Sequence, residues 1–179
     1  YLMRAILFTY FQSGTTSKLQ KMKSSINEND YEITIDMLDQ ITELHVTEGK
    51  IEDIINSEKG SRVAGEALYY LSLEWLNKNF KYEQDHLHPY DRFDGSKPLN
   101  VSMDDWKSWR GNRNRLPNLQ LLEGRSNGSK NEMPLIEYYN DMNDEQKELF
   151  VKQALIPEGV SLEISGFDET TCNLRLDSR

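Results

Sequence analysis

The chain has 179 residues, 30 acidic against 21 basic, a net charge of −9, three histidines and one cysteine. That length allows one substantial domain or two small ones with a core that needs no disulfides. The lone Cys172 provides no Cys/His quartet, so no zinc is expected and a reducing, cytoplasmic setting is. The acidic balance argues against a protein that coats nucleic acid over its whole surface, because affinity for phosphates comes from Lys and Arg.

Residues 2–12, "LMRAILFTYFQ", are apolar but interrupted by Arg4 and too short to span a bilayer, which predicts a buried helix. The chain opens on Tyr1 within that pattern, as a fragment of a longer protein would. The first eighty residues read as helices. Ile35, Leu38, Ile41 and Leu44 fall three apart, and "RVAGEALYYLSLEWL" repeats apolar residues at helical spacing through Leu76. Breaks are predicted at "SGTTS", "NEND" and "EKGS", where Gly, Asn and Ser cluster. This segment, 1–80, is expected to pack on the core formed by the middle of the chain, with His45 as a structural residue at a helix end.

The texture changes at Asn79. "FKYEQDHLHP" suits a short strand that ends at Pro89, and "NLQLL", bounded by Pro117 and Gly124, suits a second. Between them Ser102 caps a predicted short helix carrying Trp106 and Trp109 that stops near Gly111. "GRSNGSK" reads as a loop, "EMPLIEYYNDM" as a helix from about Pro134, and "NDEQKELFVKQAL" as an amphipathic helix from Asn143 or Asp144. "PEGVSLE" is expected to begin another, and the last dozen residues show no period. The fold expected is mainly α, with a small two-stranded motif embedded at 81–140 and a helical segment at 141–179.

The chemistry concentrates at Asp85, His86, His88 and Pro89, in the arrangement D-H-x-x-P. A carboxylate is a hard oxygen ligand for Mg²⁺, and an imidazole with a pKa near 6.5 suits a general base at neutral pH. Neighbouring strand residues point to opposite faces, so both reach one site only where the strand ends, which Pro89 marks. A metal would need a further ligand from elsewhere, and a ββα hairpin supplies one from the loop or helix that follows the second strand, where Asn127 sits. From Trp106 to Lys130 the chain carries Lys107, Arg110, Arg113, Arg115, Arg125 and Lys130 against the single acid Glu123, a basic stretch in an acidic chain. Lys107, Arg110, Arg113 and Arg115 are the candidates for binding nucleic acid. Arg125 and Lys130, near the site, are candidates for stabilising charge on a phosphate.

"DHLHP", "NLQLL" and the following N-G-S-K resemble the HNH, or His-Me finger, nuclease motif over residues 81–140. His86 to Pro89 match the H-x-x-P signature of the C-terminal nuclease domain of GmrSD-type modification-dependent restriction proteins. The resemblance implies a ββα-metal motif, with Asp85 and Asn127 as ligands of one Mg²⁺ or Mn²⁺, His86 as general base and Asn118 holding the catalytic loop by backbone hydrogen bonds. It also implies a DNA substrate, modified phage DNA among the possibilities, and an N-terminal ParB-like nucleotide-binding domain in the same protein. The spacing of 32 residues from His86 to Asn118 is longer than in compact examples of the motif, so an insertion carrying "DDWKSW" has to fold aside or bind substrate.

His88 is read as a flanking support to the site. Trp106 and Trp109 are read as core residues, with stacking on bases as the alternative, and the basic stretch as either a solvated face or a binding surface. Two functions from different classes fit: a metal-dependent DNA endonuclease domain, or a catalytically inactive module of the same fold that binds nucleic acid or assembles with partners.

Overall fold

In a computed structural model of the chain, the described residues are 13–42 and 46–171, without the side chains of Arg125, Asn127 and Ser129. The helix expected over residues 2–12, His45 and Cys172 lie outside them. The chain divides into two compact units, Tyr1–Asp53 and Ile54–Arg179. Residues 54–80, grouped by sequence with the helices before them, therefore fall in the second unit.

In the first unit α1 (Thr15–Glu28) packs on α2 (Ile35–Thr42). The break at "NEND" is a turn in which Asp30 and Tyr31 take positive φ. Next, α3 (Glu48–Ile55) runs across the boundary. Among the described residues no helix is long and apolar enough to cross a membrane.

The second unit is built on a hairpin. Strand β1 (Tyr82–His86) pairs antiparallel with β2 (Leu119–Glu123), with Asp85 opposite Gln120 and His86 opposite Leu119. Helix α4 (Arg62–Leu71) is capped by Ser61, whose side chain accepts the Ala64 N–H. It lies so close to β1 that a Cβ on Gly65 would stand 2.8 Å from the Gln84 amide. The helix stops at Leu71 with Ser72 as its C-cap, five residues short of the apolar pattern, and beyond it Trp75 meets the Tyr82 ring edge-on at 6.0 Å.

Between the strands run a 3₁₀ turn (Tyr90–Phe93) and α5 (Met103–Asn112), which Ser102 caps through the Asp105 N–H. Trp106 and Trp109 are buried with Phe93, Val101 and Phe167 in one apolar cluster. The Trp109 indole donates to Asp168 at 2.7 Å, so the long excursion between the strands carries its own core. A second cluster gathers Leu87, Leu135, Phe150, Ala154 and Ile156. It is supplied by α7 (Leu135–Asn140) and by α8 (Asp144–Gln153), which opens on a capping box between Asn143 and Gln146.

Two readings need correction. "GRSNGSK" is not a loop but a helix, α6 (Gly124–Lys130), that comes directly after β2. It has no apolar stripe; what anchors it is the buried ammonium of Lys130 at its last position. "PEGVSLE" does not begin a helix: Gly159 adopts a left-handed φ of 75°, and the next regular segment is a 3₁₀ turn (Ile164–Gly166) leading into α9 (Phe167–Thr171).

Candidate active site

Strand β1 ends at His86, and there its alternation delivers two chemically different side chains. Asp85 is directly opposite Gln120, and cross-strand partners share a face, so the Gln120 amide donates to Asp85 Oδ2 at 3.2 Å. Lys130 reaches the same oxygen at 2.7 Å and also donates to the main-chain carbonyl of His86. Its side chain is 0% exposed and that of Asp85 10%, so this is an ion pair largely withdrawn from water. Burial pulls the Lys130 ammonium below the ordinary lysine range, while Asp85 opposes that shift.

His86 turns the other way. Its Nε2 lies 3.1 Å from Asn114 Oδ1, and its Nδ1 lies 3.4 Å from the Lys59 ammonium. The amide nitrogen of Asn114 faces Glu58 Oε2, which leaves the amide oxygen for His86. Nε2 therefore carries the proton and Nδ1 presents a lone pair, the form a general base requires. Burial lowers the His86 pKa; the Asn114 hydrogen bond and Asp85 oppose this, while Lys59 and Lys130 add to it. The ring is neutral at physiological pH.

Asp85 and His86 nevertheless open on one cavity of about 480 Å³, lined also by Lys59, Glu83, Tyr90, Asp91, Asn131 and Glu132. Its donors are carboxylate and amide oxygens without sulfur, which suits Mg²⁺ or Mn²⁺. Both hydrogen bonds to Asp85 fall on Oδ2. A cation in the cavity would thus meet the carboxylate through Oδ1, beside an ammonium already in place. Asn127 lies on α6 within the same neighbourhood of the chain, but its side chain is outside the described set, as is that of Arg125. Among the described residues no three His, Cys, Asp or Glu side chains come together as a metal-binding group.

Asn118 is fully buried at the entry to β2. Its side chain binds the main-chain N–H and carbonyl of His88 and the carbonyl of Arg113. It therefore clamps the turn after His86 to the start of the second strand. His88 is directed away from the cavity lined by His86, with Nε2 2.8 Å from Thr170 Oγ1 and its ring against Phe167.

The remaining basic residues divide. Lys130 is turned inward onto Asp85, so its ammonium is not presented to a phosphate as its position near the site suggests. Arg113 pairs with Asp94 at 2.6 Å and lies 3.7 Å over the Tyr90 ring, only 13% exposed; Arg115 binds Asn56. Those two guanidiniums have structural partners. Lys107 and Arg110 stand exposed on α5, Arg110 3.6 Å from Asp94.

Lys59 is the residue the sequence did not single out. It lies 27 positions before His86, in the turn that sequence marked only as a helix break. No protein-family model matches this chain, and no curated protein matches it.

Proposed function

We propose that the chain is a metal-dependent endonuclease domain that hydrolyses DNA phosphodiesters, the effector of a restriction or phage-defence protein acting in the cytoplasm. The observation that carries this reading is the convergence of Asp85 and His86 on one cavity at the end of a strand–strand–helix unit. His86, neutral and part of the cavity lining, takes the proton of the attacking water through Nδ1, the nitrogen that faces Lys59. Asn114 holds the ring in that tautomer, and Asn118 fixes the turn behind it. Asp85 and Asn127 would hold one Mg²⁺ or Mn²⁺, which when bound supplies a Lewis acid for the phosphate and the leaving 3′ oxygen. Of the four cations that the sequence offers for binding nucleic acid, Lys107 and Arg110, exposed on α5, face solvent and would meet the DNA backbone outside the cavity. Modified phage DNA as the substrate and a nucleotide-binding ParB-like domain as a partner in the same protein rest on the resemblance to GmrSD-type proteins.

One observation favours the non-catalytic alternative. Lys130 gives Asp85 a counter-charge within the chain, so the carboxylate does not depend on a metal for neutralisation. Nicking and linearisation of modified and unmodified plasmid, with Mg²⁺ or Mn²⁺, decide between the two. Wild type is expected to cut, and His86→Ala and Asn127→Ala to be inactive. Activity that survives His86→Ala would rule out this mechanism, and DNA binding without cleavage by the wild type would establish the binding module.

A further inference from the structure

A phosphodiester entering the cavity beside His86 meets an acidic wall: Glu83, Asp85, Asp91 and Glu132 all line it. Asp85 is compensated by Lys130 and Glu83 lies 3.8 Å from Lys81, yet four carboxylates on one wall remain an unfavourable setting for an anion. Among the described residues lining the cavity, Lys59 is the single lysine or arginine. An anionic substrate needs a cation there besides any metal, and one side chain is placed to supply it.

That placement is built into the fold. The Lys59 N–H donates to the Asn114 carbonyl at 2.9 Å, and Glu58 forms an isolated bridge with Arg115. The Leu116 N–H donates to the Ser57 carbonyl at 2.9 Å, and the Gly60 N–H to the Gln84 side chain at 2.8 Å. The turn is thus tied on one side to the segment that positions Asn114 and on the other to β1. Gly60 takes φ 83°, a conformation that side chains other than glycine's rarely adopt, and lets the chain reverse immediately after the lysine. Only the flexible four-carbon stem of Lys59 is left to move.

We infer that Lys59 is a further catalytic residue, whose ammonium binds a non-bridging oxygen of the scissile phosphate. The inference rests on the nuclease reading above and deepens it. A water activated by His86 has to lie within about 3 Å of Nδ1, and the phosphorus it attacks about 3–3.5 Å beyond. Lys59 Nζ, 3.4 Å from that same nitrogen, therefore starts within reach of both. Without substrate the ammonium caps the lone pair. When a phosphate enters, the ammonium moves onto its oxygen and the lone pair is released to the water. The lysine thus links filling of the cavity to exposure of the base.

The test measures single-turnover cleavage of plasmid or oligonucleotide DNA with Mg²⁺ and with Mn²⁺ by wild type, Lys59→Met, Lys59→Arg and His86→Ala, with DNA affinity measured in parallel. Loss of one transition-state donor costs about 100-fold or more in rate. Lys59→Met is expected to fall by about that factor with its DNA dissociation constant changed less than about threefold, and Lys59→Arg to recover part of the loss. Lys59→Cys in a Cys172→Ser background, alkylated with bromoethylamine to restore an ammonium, is expected to regain most of the rate, which a misfolded protein would not. Lys59→Met cutting within about threefold of wild type, while His86→Ala is inactive, overturns the assignment and leaves the nuclease reading standing. Failure of the alkylated protein to recover also overturns it. A wild type that cuts no DNA with either metal overturns both.

Discussion

Asn118 grips His88 by both main-chain groups: Oδ1 accepts from the His88 N–H at 2.9 Å, and Nδ2 donates to the His88 carbonyl at 3.0 Å. The same nitrogen donates to the Arg113 carbonyl at 2.7 Å. Asn118→Ala leaves these main-chain groups without that partner in a site where Asn118 is 0% exposed. A buried polar group deprived of its partner costs about 1–3 kcal/mol, so a net loss of about 3 kcal/mol is expected in a urea titration. A loss under about 1 kcal/mol would mean that water reaches the turn and that Asn118 is not what holds it.

Lys130 and Asp85 form the other pair in which each residue depends on its partner. Lys130→Met strands a carboxylate that is 10% exposed, and breaking a buried pair from one side costs about 3–5 kcal/mol. Asp85→Asn combined with Lys130→Met removes both charges together, and the double variant is expected to be more stable than Lys130→Met alone. A double-mutant cycle from chemical denaturation measures this directly, and additive single effects would show the pair to be uncoupled. Mn²⁺ is expected to raise the melting temperature of Lys130→Met more than that of wild type, because the metal replaces the missing counter-charge.

The hairpin was legible in the sequence because each strand is a short run with clear punctuation: Pro89 beyond the first, Pro117 and Gly124 around the second. The caps at Ser102 and Asn143 were legible for the same local reason. Helix α6 was not, since "GRSNGSK" has two glycines, no apolar period and poor helix propensity; the contact that fixes it, Lys130 to Asp85, spans 45 residues. Lys59 was hidden in the same way. Nothing local marks it, and contacts distant in sequence bring its turn to His86: the bridge from Glu58 to Arg115 and the hydrogen bonds to Asn114, Leu116 and Gln84. The basic stretch misled in part because charge counts say nothing of partners, and Arg113 and Arg115 spend theirs within the fold.

His86 gives a spectroscopic prediction independent of turnover. Burial lowers its pKa below 6.5, the Asn114 hydrogen bond works against that shift, and the Lys59 charge works with it. In a metal-free NMR titration the His86 ring is expected to take up its proton below pH 6.5. Asn114→Ala moves the midpoint lower still, and Lys59→Met moves it up. Movement of both variants in the same direction would contradict the geometry in which an acceptor faces Nε2 and a cation faces Nδ1.

His88 links the same hairpin to the pH dependence of stability. Burial brings its pKa down from 6.5 to about 3, with the Lys130 charge acting in the same direction. Its Nε2 is held 2.8 Å from Thr170 Oγ1, whose own hydroxyl lies against the carbonyls of Gly166 and Phe167. The hydroxyl donates to the helix and accepts from Nε2–H, so this nitrogen is satisfied in the neutral ring. Between pH 6.5 and about 3 the unfolded chain therefore binds more protons at this position than the folded one. The stability contribution is complete above pH 6.5 and lost as pH falls through that window, with a slope of up to about 1.4 kcal/mol per pH unit. Asp and Glu residues titrate in the same range, so the informative quantity is a difference between proteins. His88→Gln can still donate to Thr170 but has no proton to gain. It is expected to be less stable than wild type at neutral pH yet to lose less on acidification, so that the two urea-denaturation curves converge towards about pH 4. Parallel curves would show that His88 is protonated in the folded protein.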